Sequence, residues 1–350
     1  MLRSHHAIMR VAFLFMMAVS ALTLVSSVAA ICKPPGDFGT PGNDTIECNQ
    51  GHEPVGDVGG DLGDDEIEIN SSTTVNYVTG DGFDPNQDNI IDQPTGEGGN
   101  DTIHLKGHAN AFVAGDYVFG NGGNDTITID GTVSAPVYGD LAIAAGETTV
   151  NGGHDTILVN GAVNSHVSGD FVGNGNGGDD TIIVNGSVDC VQGDELTSGN
   201  GGNDTITING TAGCVTGDTI YNSGNGGNDT ITIRGTVGEV QGDNIQQSSL
   251  GGSDRIIISG TVTTSVFGDS GTSGLGGDDY VELQNGASIG GTIEGREGTD
   301  ILAFAFSGIG QPERDTLAAA IAAASPAGGS LTIRGQTYTW VDFEQLLNLS

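Results

Sequence analysis

The sequence has few basic residues, few aromatic residues and no long apolar run after its first thirty residues. Lysine and arginine number 9 among 350 residues, against 45 aspartates and glutamates, which gives a formal net charge of −36. Such a charge repels nucleic acids and anionic membranes, so neither is expected as a partner. Aromatic residues make up 5% of the chain, and tryptophan occurs once, at Trp340. The core must therefore be built mainly from aliphatic side chains.

The first thirty residues have the features of a secretory signal peptide. Arg3 and Arg10 precede and flank the start of an apolar run from Val11 to Val25, and small residues end the segment at Ala29 and Ala30. We predict cleavage near Ala30 and a secreted protein, extracellular or on the cell surface. An uncleaved anchor helix is the alternative, although the run is short for a span of about 20 residues. After cleavage, no segment is apolar enough to cross a bilayer.

Glycine is abundant, with 61 residues, and it recurs at fixed positions among evenly spaced isoleucines and valines. Disordered glycine-rich chains lack such apolar order. A Gly-Gly-Asn-Asp-Thr-Ile motif or a close variant recurs about every 25 residues. Its aspartates are Asp101, Asp125, Asp155, Asp180, Asp204, Asp229, Asp254 and Asp279, with degenerate copies at Asp44, Asp65 and Asp300. A second motif, Val-x-Gly-Asp, ends at Asp116, Asp140, Asp170, Asp194, Asp218, Asp243 and Asp269.

One repeat contains two short strands joined by a corner. In the first strand, alternation places Ile206 and Ile208 on one face and threonines on the other. Asn209-Gly210 then predicts a corner, because glycine tolerates the positive φ that such turns often need. One unit cannot bury its apolar face alone, so we predict stacking into an all-β parallel solenoid of the β-roll or β-helix type. An antiparallel sandwich or a propeller is the alternative, but propeller blades need about 40 residues or more.

The repeats divide the chain into four predicted parts. Residues 1–30 are the signal peptide, 31–100 an N-terminal cap with degenerate repeats, 101–302 the regular repeats, and 303–350 a C-terminal cap. Within this last part, residues 312–324 predict a helix, and residues 331–340 predict a β-hairpin. A small α+β cap of this kind would cover the last open edge of the solenoid.

Stacking would align the aspartates into two columns. Equivalent residues in a parallel stack lie about 4.8 Å apart, and two like charges at that distance repel by about 3.5 kcal/mol at an effective dielectric of 20. Cations between the rungs would remove this repulsion. Calcium suits the chemistry because it takes six to eight oxygen ligands with tolerant geometry, whereas magnesium demands a stricter octahedron. We therefore predict Ca²⁺ as the bound cofactor.

The segments GTPGNDTI, GEGGNDTI and GNGGNDTI resemble the hemolysin-type, or RTX, calcium-binding nonapeptide. The resemblance implies a parallel β-roll with calcium between successive turns. It also implies that the final aspartate of each motif is a ligand, with carbonyl oxygens offered by Asn124, Asn203, Asn228 and the neighbouring glycines. A turn in that family holds two nonapeptides, but each repeat here holds one, with Val-x-Gly-Asp in place of the second. Whether the second aspartate column binds metal, and how many ions bind, is left open.

Four cysteines are present in a chain predicted to be exported to an oxidising environment. Cys190 and Cys214 lie one repeat apart, so stacking brings their Cα atoms within disulfide range, and we predict a bond between successive rungs. Cys32 and Cys48 either form a second disulfide at the N-terminal edge or remain free thiols.

The repeats predict a non-enzymatic calcium-binding protein with a structural or adhesive role, and a cell-surface or extracellular polysaccharide as its partner. Ice binding is an alternative, because Thr-x-Thr pairs such as Thr126/Thr128, Thr205/Thr207 and Thr230/Thr232 would form ladders on a flat face. A carbohydrate-active enzyme is a third hypothesis. It would need acid, base and aromatic residues clustered on an outer face, and no such cluster is visible in the sequence. No catalytic residue is predicted.

Overall fold

A computed structural model describes residues 43–48, 63–82, 97–143, 149–271, 275–325 and 327–350, together with the backbone of short strands at Cys32–Lys33 and Val55–Asp57. The predicted signal peptide lies outside the described residues. The chain forms a succession of short strands that stack on their equivalents in the next repeat, giving one sheet of 13 strands and a second of 20. The predicted parallel β-solenoid is confirmed.

The 13-stranded sheet, called face A, contains the strand that follows each Gly-Gly-Asn-Asp motif. Its strands are Cys32–Lys33, Thr45–Cys48, Glu66–Ile69, Thr102–Leu105, Thr126–Ile129, Thr156–Val159, Thr181–Val184, Thr205–Ile208, Thr230–Ile233, Arg255–Ile258, Tyr280–Gln284, Ile301–Ala305 and Gln345–Asn348. The first pair is antiparallel and the rest are parallel, in a register that aligns Ile182, Ile206 and Ile231. These three side chains are fully buried. Burial of each side chain stabilises the fold by about 1.5–3 kcal/mol. The apolar core therefore favours the register in which equivalent residues of successive repeats stack.

The 20-stranded sheet, called face B, contains the remaining strands of each repeat and wraps around the other side of the core. Its strands are Val55–Asp57, Thr74–Val75, Val78–Asp81, His108–Ala109, Val113–Val118, Thr132–Val133, Val137–Ala142, Ala162–Val172, Ser187–Ser198, Thr211–Thr216, Thr219–Ser223, Thr236–Gln241, Asn244–Ile245, Thr261–Val262, Val266–Phe267, Ser270–Gly271, Ser288–Ile289, Thr292–Glu294, Gly328–Ile333 and Gln336–Val341. Val188, Val191 and their equivalents point inward against the isoleucines of face A.

In several repeats, a strand of face B continues past the Gly-Asp pair that ends the second motif. Strands Ala162–Val172 and Ser187–Ser198 continue through the Gly-Asp pair. Alternation explains the continuation, because the second residue after the aspartate is apolar and points inward. Ala142, Val172, Leu196 and Ile220, which occupy this position, form a second, smaller apolar cluster together with Val150.

The corner glycines are required for a different reason from the one predicted. Gly210 does not have a positive φ, whereas Gly286, at the last Asn-Gly corner, has φ 93°. A Cβ atom at Gly210 would overlap the carbonyl oxygen of Gly186 in the preceding rung. Close stacking of backbones, and not a left-handed conformation, therefore selects glycine at the regular corners.

The C-terminal segment closes the end of the solenoid, as predicted. Its helix is Gln311–Ala323, and the hairpin pairs Gly328–Ile333 with Gln336–Val341. The last strand, Gln345–Asn348, runs parallel to Ile301–Ala305 and adds a final rung to face A. Phe304 and Trp340 meet edge to face at 5.9 Å over the end of the aliphatic core. In the described part of the chain, no helix has the length and apolarity needed to span a membrane.

The predicted disulfide between Cys190 and Cys214 is present, with Cα atoms 4.5 Å apart. It links strands Ser187–Ser198 and Thr211–Thr216, in which the two cysteines face each other in register. Cys48 is also disulfide-bonded, and Cys32 lies opposite it in an antiparallel pair. No cysteine is free in the part of the chain that the structure describes.

Candidate metal centre

Two columns of buried aspartates run along the solenoid, one just before the strands of face A and the other within or beside the strands of face B. The first Asp column has one residue before each face A strand, and each is at most 2% exposed: Asp65, Asp101, Asp125, Asp155, Asp180, Asp204, Asp229, Asp254, Asp279 and Asp300. The second Asp column ends each Val-x-Gly-Asp motif: Asp81, Asp116, Asp140, Asp170, Asp194, Asp218, Asp243 and Asp269, none more than 3% exposed. Burial of so many carboxylates requires compensation by hydrogen bonds or by cations.

Each first-column carboxylate ties one rung to the next. Oδ1 of Asp204 accepts the backbone N–H of Asp180 at 2.7 Å, and Oδ1 of Asp229 accepts that of Asp204 at 2.7 Å. In both Asp204 and Asp229, the other carboxylate oxygen, Oδ2, is buried and has no hydrogen-bond partner. Orphaned buried acceptors of this kind are rare in proteins and call for a ligand.

The second-column carboxylates are held by backbone N–H groups from two directions. Oδ2 of Asp194 accepts the N–H of Gly202 at 2.9 Å, and its Oδ1 accepts that of Asp170 at 2.9 Å. Oδ1 of Asp218 accepts the N–H of Asp194 at 2.8 Å. These bonds fix the carboxylates in place and orient them toward the first column.

Glycines at three positions of the repeat make room for this arrangement. A Cβ atom at Gly193 would overlap the carboxylate of Asp204, and one at Gly201 would overlap that of Asp218. A Cβ at Gly202 would overlap the carbonyl oxygen of Gly178. The glycines of both motifs are therefore needed to bring the two columns and the backbone into contact.

The two columns meet in triads. Each triad combines two successive first-column aspartates with the second-column aspartate between them, and one oxygen from each lies within 4.8 Å of the others. Eight groups of at least three candidate metal-ligating side chains occur among the described residues, and five of them are the triads Asp65/Asp81/Asp101, Asp101/Asp116/Asp125, Asp125/Asp140/Asp155, Asp155/Asp170/Asp180 and Asp180/Asp194/Asp204. Because successive triads share first-column residues, the sites form a continuous line.

The electrostatics of the triads disfavour ionised carboxylates without a cation. Burial, followed by the charges of Asp194 and Asp218, raises the pKa of Asp204 well above its ordinary value. Burial also raises the pKa of Asp170 and of Asp218 to about 7, although backbone N–H donors oppose the shift. A bound cation reverses this effect, because its charge stabilises the carboxylate form.

The residues present fit calcium. The five named triads supply carboxylate oxygens only, which are ligands for a hard cation, and calcium accepts six to eight oxygens with tolerant geometry. The asparagines before the first-column aspartates have exposed side chains, and Asn124 Nδ2 donates to Asn100 Oδ1 at 2.9 Å in a ladder on the surface. Their side chains thus lie outside the buried line of carboxylates.

Both ends of the columns differ from the middle. Asp44 was predicted as a ligand, and it is half-buried, with its N–H donating to Asp65 Oδ1 at 2.7 Å. At the other end, Glu344 of the C-terminal cap takes the part of the next aspartate, since its Oε2 accepts the N–H of Asp300 at 2.7 Å. Asp81 was missed by the sequence analysis, although residues 78–81 read Val-Thr-Gly-Asp and match the second motif.

A cluster of polar and aromatic side chains on the outside of face B was also missed. Tyr138, His166, Glu195 and Tyr221 come from four successive rungs and contact one another in sequence. No sequence motif connects them, because they occupy different positions in their repeats and meet only after stacking. The cluster contains one carboxylate, whereas glycoside hydrolysis ordinarily uses a pair, so it does not by itself make the chain a glycosidase.

Comparisons with known proteins identify one similar solved structure. No protein-family model matches the chain, and no curated protein matches it. The structure is that of a hyperactive, Ca²⁺-dependent, β-helical antifreeze protein from an Antarctic bacterium, with 20% sequence identity and a TM-score of 0.44. The match covers 78% of this chain and 82% of that one.

Proposed function

We propose that this protein is a calcium-binding β-solenoid in which calcium ions, held by the aspartate triads, stabilise the stack of repeats. The observation that carries the proposal is the line of buried carboxylate oxygens without hydrogen-bond partners, of which Oδ2 of Asp180, Asp204 and Asp229 are examples. The residues Asp65 to Asp300 of the first column and Asp81 to Asp269 of the second would hold the ions. Since Asp101, Asp125, Asp155 and Asp180 each belong to two of the named triads, binding at one triad prepares the next.

The number of bound ions tests this proposal. Equilibrium dialysis of the folded protein against calcium, followed by elemental analysis, should give about eight ions per chain, one for each triad. Magnesium should bind more weakly because it dehydrates reluctantly and demands an octahedral site. A chain that retains fewer than two calcium ions at saturation would contradict the assignment of the triads.

We further propose a secreted or cell-surface location and a structural or adhesive role. The basic and apolar N-terminal segment and the net charge of −36 support export and an extracellular setting, where calcium is abundant. A surface polysaccharide is the proposed partner. Sequencing the N-terminus of the exported protein tests the location, and a mature chain that starts near Ile31 is expected. Retention of Arg3 and Arg10 in the mature chain would contradict it.

Ice binding is a second candidate, favoured by the outer surface of face A. The first outward position of each strand is threonine in six successive rungs, at Thr102, Thr126, Thr156, Thr181, Thr205 and Thr230, all in register. The second outward position of the five strands from Thr126–Ile129 to Thr230–Ile233 holds only threonine or aliphatic residues. The central surface of face A is thus a regular, uncharged array on a rigid sheet.

A thermal-hysteresis assay tests ice binding directly. The calcium-loaded protein should separate its freezing and melting temperatures, and Thr156→Lys together with Thr205→Lys should remove the gap. Thr211→Lys and Thr236→Lys, at exposed threonines of face B, serve as the matched control and should leave it unchanged. Equal freezing and melting temperatures for the unmodified protein would dismiss ice binding and leave the calcium proposal intact.

A further inference from the structure

Ten asparagines of this chain are followed directly by glycine, and the structure describes all ten pairs. In such a pair the backbone nitrogen of the glycine can attack the asparagine side chain, because glycine has no Cβ to obstruct the approach. The reaction converts the amide to an acid, and asparagine is one of the thermolabile residues of proteins. The ten asparagines are Asn121, Asn151, Asn160, Asn174, Asn176, Asn185, Asn200, Asn209, Asn225 and Asn285.

In nine of these pairs the glycine nitrogen takes part in the stacking of the solenoid. The N–H of Gly210 donates to the carbonyl oxygen of Val184 at 3.0 Å, and the N–H of Gly201 donates to that of Asn225 at 2.9 Å. The other seven glycines donate to a neighbouring rung in the same way, at 2.8–3.0 Å: Gly122, Gly152, Gly161, Gly175, Gly177, Gly186 and Gly226. A nitrogen held in this ladder can attack a side chain only after the rungs separate locally.

The tenth pair, Asn285-Gly286, lies at the last Asn-Gly corner and differs from the others. Within the described part of the chain, the N–H of Gly286 donates no hydrogen bond. Both residues of the pair are exposed. Gly286 has φ 93°, whereas Gly210 and the other glycines of the regular corners do not have a positive φ. The turn at this corner therefore leaves the nucleophilic nitrogen accessible in the folded protein.

We propose that Asn285 is the site at which the folded protein undergoes deamidation. The nitrogen of Gly286 loses its proton to solvent and attacks Cγ of Asn285. The bond from Cγ to Nδ2 then breaks, ammonia leaves, and a cyclic succinimide remains. Water opens this ring to give either aspartate or isoaspartate at position 285. No atom is oxidised or reduced, and water is the only other reactant.

The C-terminal cap places a positive charge beside the reacting group. Arg334, at the turn of the cap hairpin, has its Nη1 atom 3.5 Å from Oδ1 of Asn285. Negative charge develops on this oxygen when the glycine nitrogen attacks Cγ. A guanidinium that is already in position stabilises such charge. Arg334 is therefore a positioning residue that should accelerate the reaction at Asn285.

Asn209 is a matched site within the same chain. Like Asn285 it is exposed and precedes a corner glycine, and its Oδ1 lies 3.3 Å from Arg234 Nη1. Its Nδ2 also donates a hydrogen bond, so the side chains of both asparagines are held. The two sites differ at the glycine nitrogen, which is bonded at Gly210 and has no partner among the described residues at Gly286. A comparison of the two rates thus isolates the effect of this backbone bond.

Deamidation loosens the joint between the last regular corner and the C-terminal cap. Asn285 Nδ2 donates to the carbonyl oxygen of Ser307 at 3.0 Å and to Ser307 Oγ at 2.6 Å. A carboxylate cannot donate either bond, and it would face the Ser307 carbonyl oxygen with a negative charge. Its attraction to Arg334 offsets little of this loss, because the pair is exposed to solvent. The modification therefore acts on the attachment of the cap.

Peptide mapping by mass spectrometry, during incubation of the folded protein in calcium near pH 8, tests the proposal. Asn285 should deamidate at least about tenfold faster than Asn209 and the other eight asparagines, because only their glycines require local opening. Isoaspartyl methyltransferase should label the peptide that contains residue 285. In urea the stacking is lost, so the rates at Asn285 and Asn209 should become similar. Arg334→Gln should slow the reaction in the folded protein and leave it unchanged in urea.

Circular dichroism shows that the protein and the Arg334→Gln variant are folded during the incubation. Equal rates at Asn285 and Asn209 in the folded protein, or an Asn285 that does not react, would overturn the proposal. A rate ratio that is the same in urea would also overturn it, because the local sequence alone would then set the rate. Asn285→Asp imitates one product and should lower the melting temperature, and an unchanged melting temperature would overturn the effect on the cap. These outcomes do not depend on whether the aspartate columns bind calcium.

Discussion

Replacing Asp204 with asparagine should change stability in opposite directions with and without calcium. Asparagine is nearly isosteric, and its side-chain oxygen can still accept the N–H of Asp180, now 2.7 Å from Oδ1. The substitution therefore removes a buried charge while the backbone contact is kept. Asp204 belongs to the triad with Asp180 and Asp194, and the charge of Asp218 also acts on it.

The magnitude follows from the spacing of the carboxylates. Two ionised oxygens 4.8 Å apart repel by about 3.5 kcal/mol at an effective dielectric of 20. Since the raised pKa of Asp204 already relieves part of this repulsion by protonation, metal-free Asp204→Asn should be more stable than the unmodified protein by about 1–3 kcal/mol near pH 8. In saturating calcium, tenfold weaker binding at each of two sites should destabilise it by about 3 kcal/mol.

Urea unfolding followed by circular dichroism, in calcium and in metal-free buffer, measures both effects. Asp179→Asn is the matched control, because Asp179 is the exposed neighbour of a first-column residue and accepts hydrogen bonds from Asn203. It should change stability little in either buffer. If Asp204→Asn destabilises the protein equally with and without calcium, its carboxylate acts through hydrogen bonds alone and the electrostatic reasoning is refuted.

Three further predictions follow from the same structure. Gly202→Ala should destabilise the calcium-loaded protein by more than about 2 kcal/mol in urea unfolding, because the new methyl group overlaps a backbone carbonyl of the preceding rung. Gly310→Ala should have little effect, because a Cβ there would make only an ordinary contact, 3.7 Å from Pro312 Cδ. Since the pKa of Asp170 rises from 3.8 to about 7 on folding, the metal-free protein should lose stability as the pH rises from about 4 to about 7, with thermal melting as the measurement; a melting temperature that rises over this range would contradict it. Loss of the disulfide between Cys190 and Cys214 should lower the free energy of unfolding by about 3 kcal/mol, as measured on the Cys190→Ser/Cys214→Ser variant. An unchanged unfolding midpoint would show that stacking alone holds these rungs together.

The repeat itself could be predicted because local and long-range signals coincide. Alternation in Thr205–Ile208 determines which side chains face the core, and the period determines which rungs stack. The first Asp column and the Cys190–Cys214 disulfide follow from that stacking, since equivalent positions become neighbours. Such features depend only on spacing along the chain, which the sequence displays.

Features that depend on contacts between unlike repeat positions could not be predicted. Tyr138, His166, Glu195 and Tyr221 make contact because their side chains reach neighbouring rungs from non-equivalent positions, and no periodicity reveals those contacts. The role of Gly210 was likewise misjudged, because the carbonyl oxygen that excludes a Cβ belongs to another rung. Asp81, by contrast, could have been predicted, because the second motif is present at residues 78–81 and was overlooked.

The dependence of folding on calcium tests the central claim most directly. The protein should lose its β circular dichroism signal in excess EGTA near pH 8 and regain it cooperatively on addition of millimolar calcium, with poor rescue by magnesium. The reason is that the buried aspartates repel one another without cations, while the glycine-rich loops lose conformational entropy on folding. If the chelated protein keeps its full β signal and its melting temperature, the aspartate columns do not need calcium and the account is contradicted.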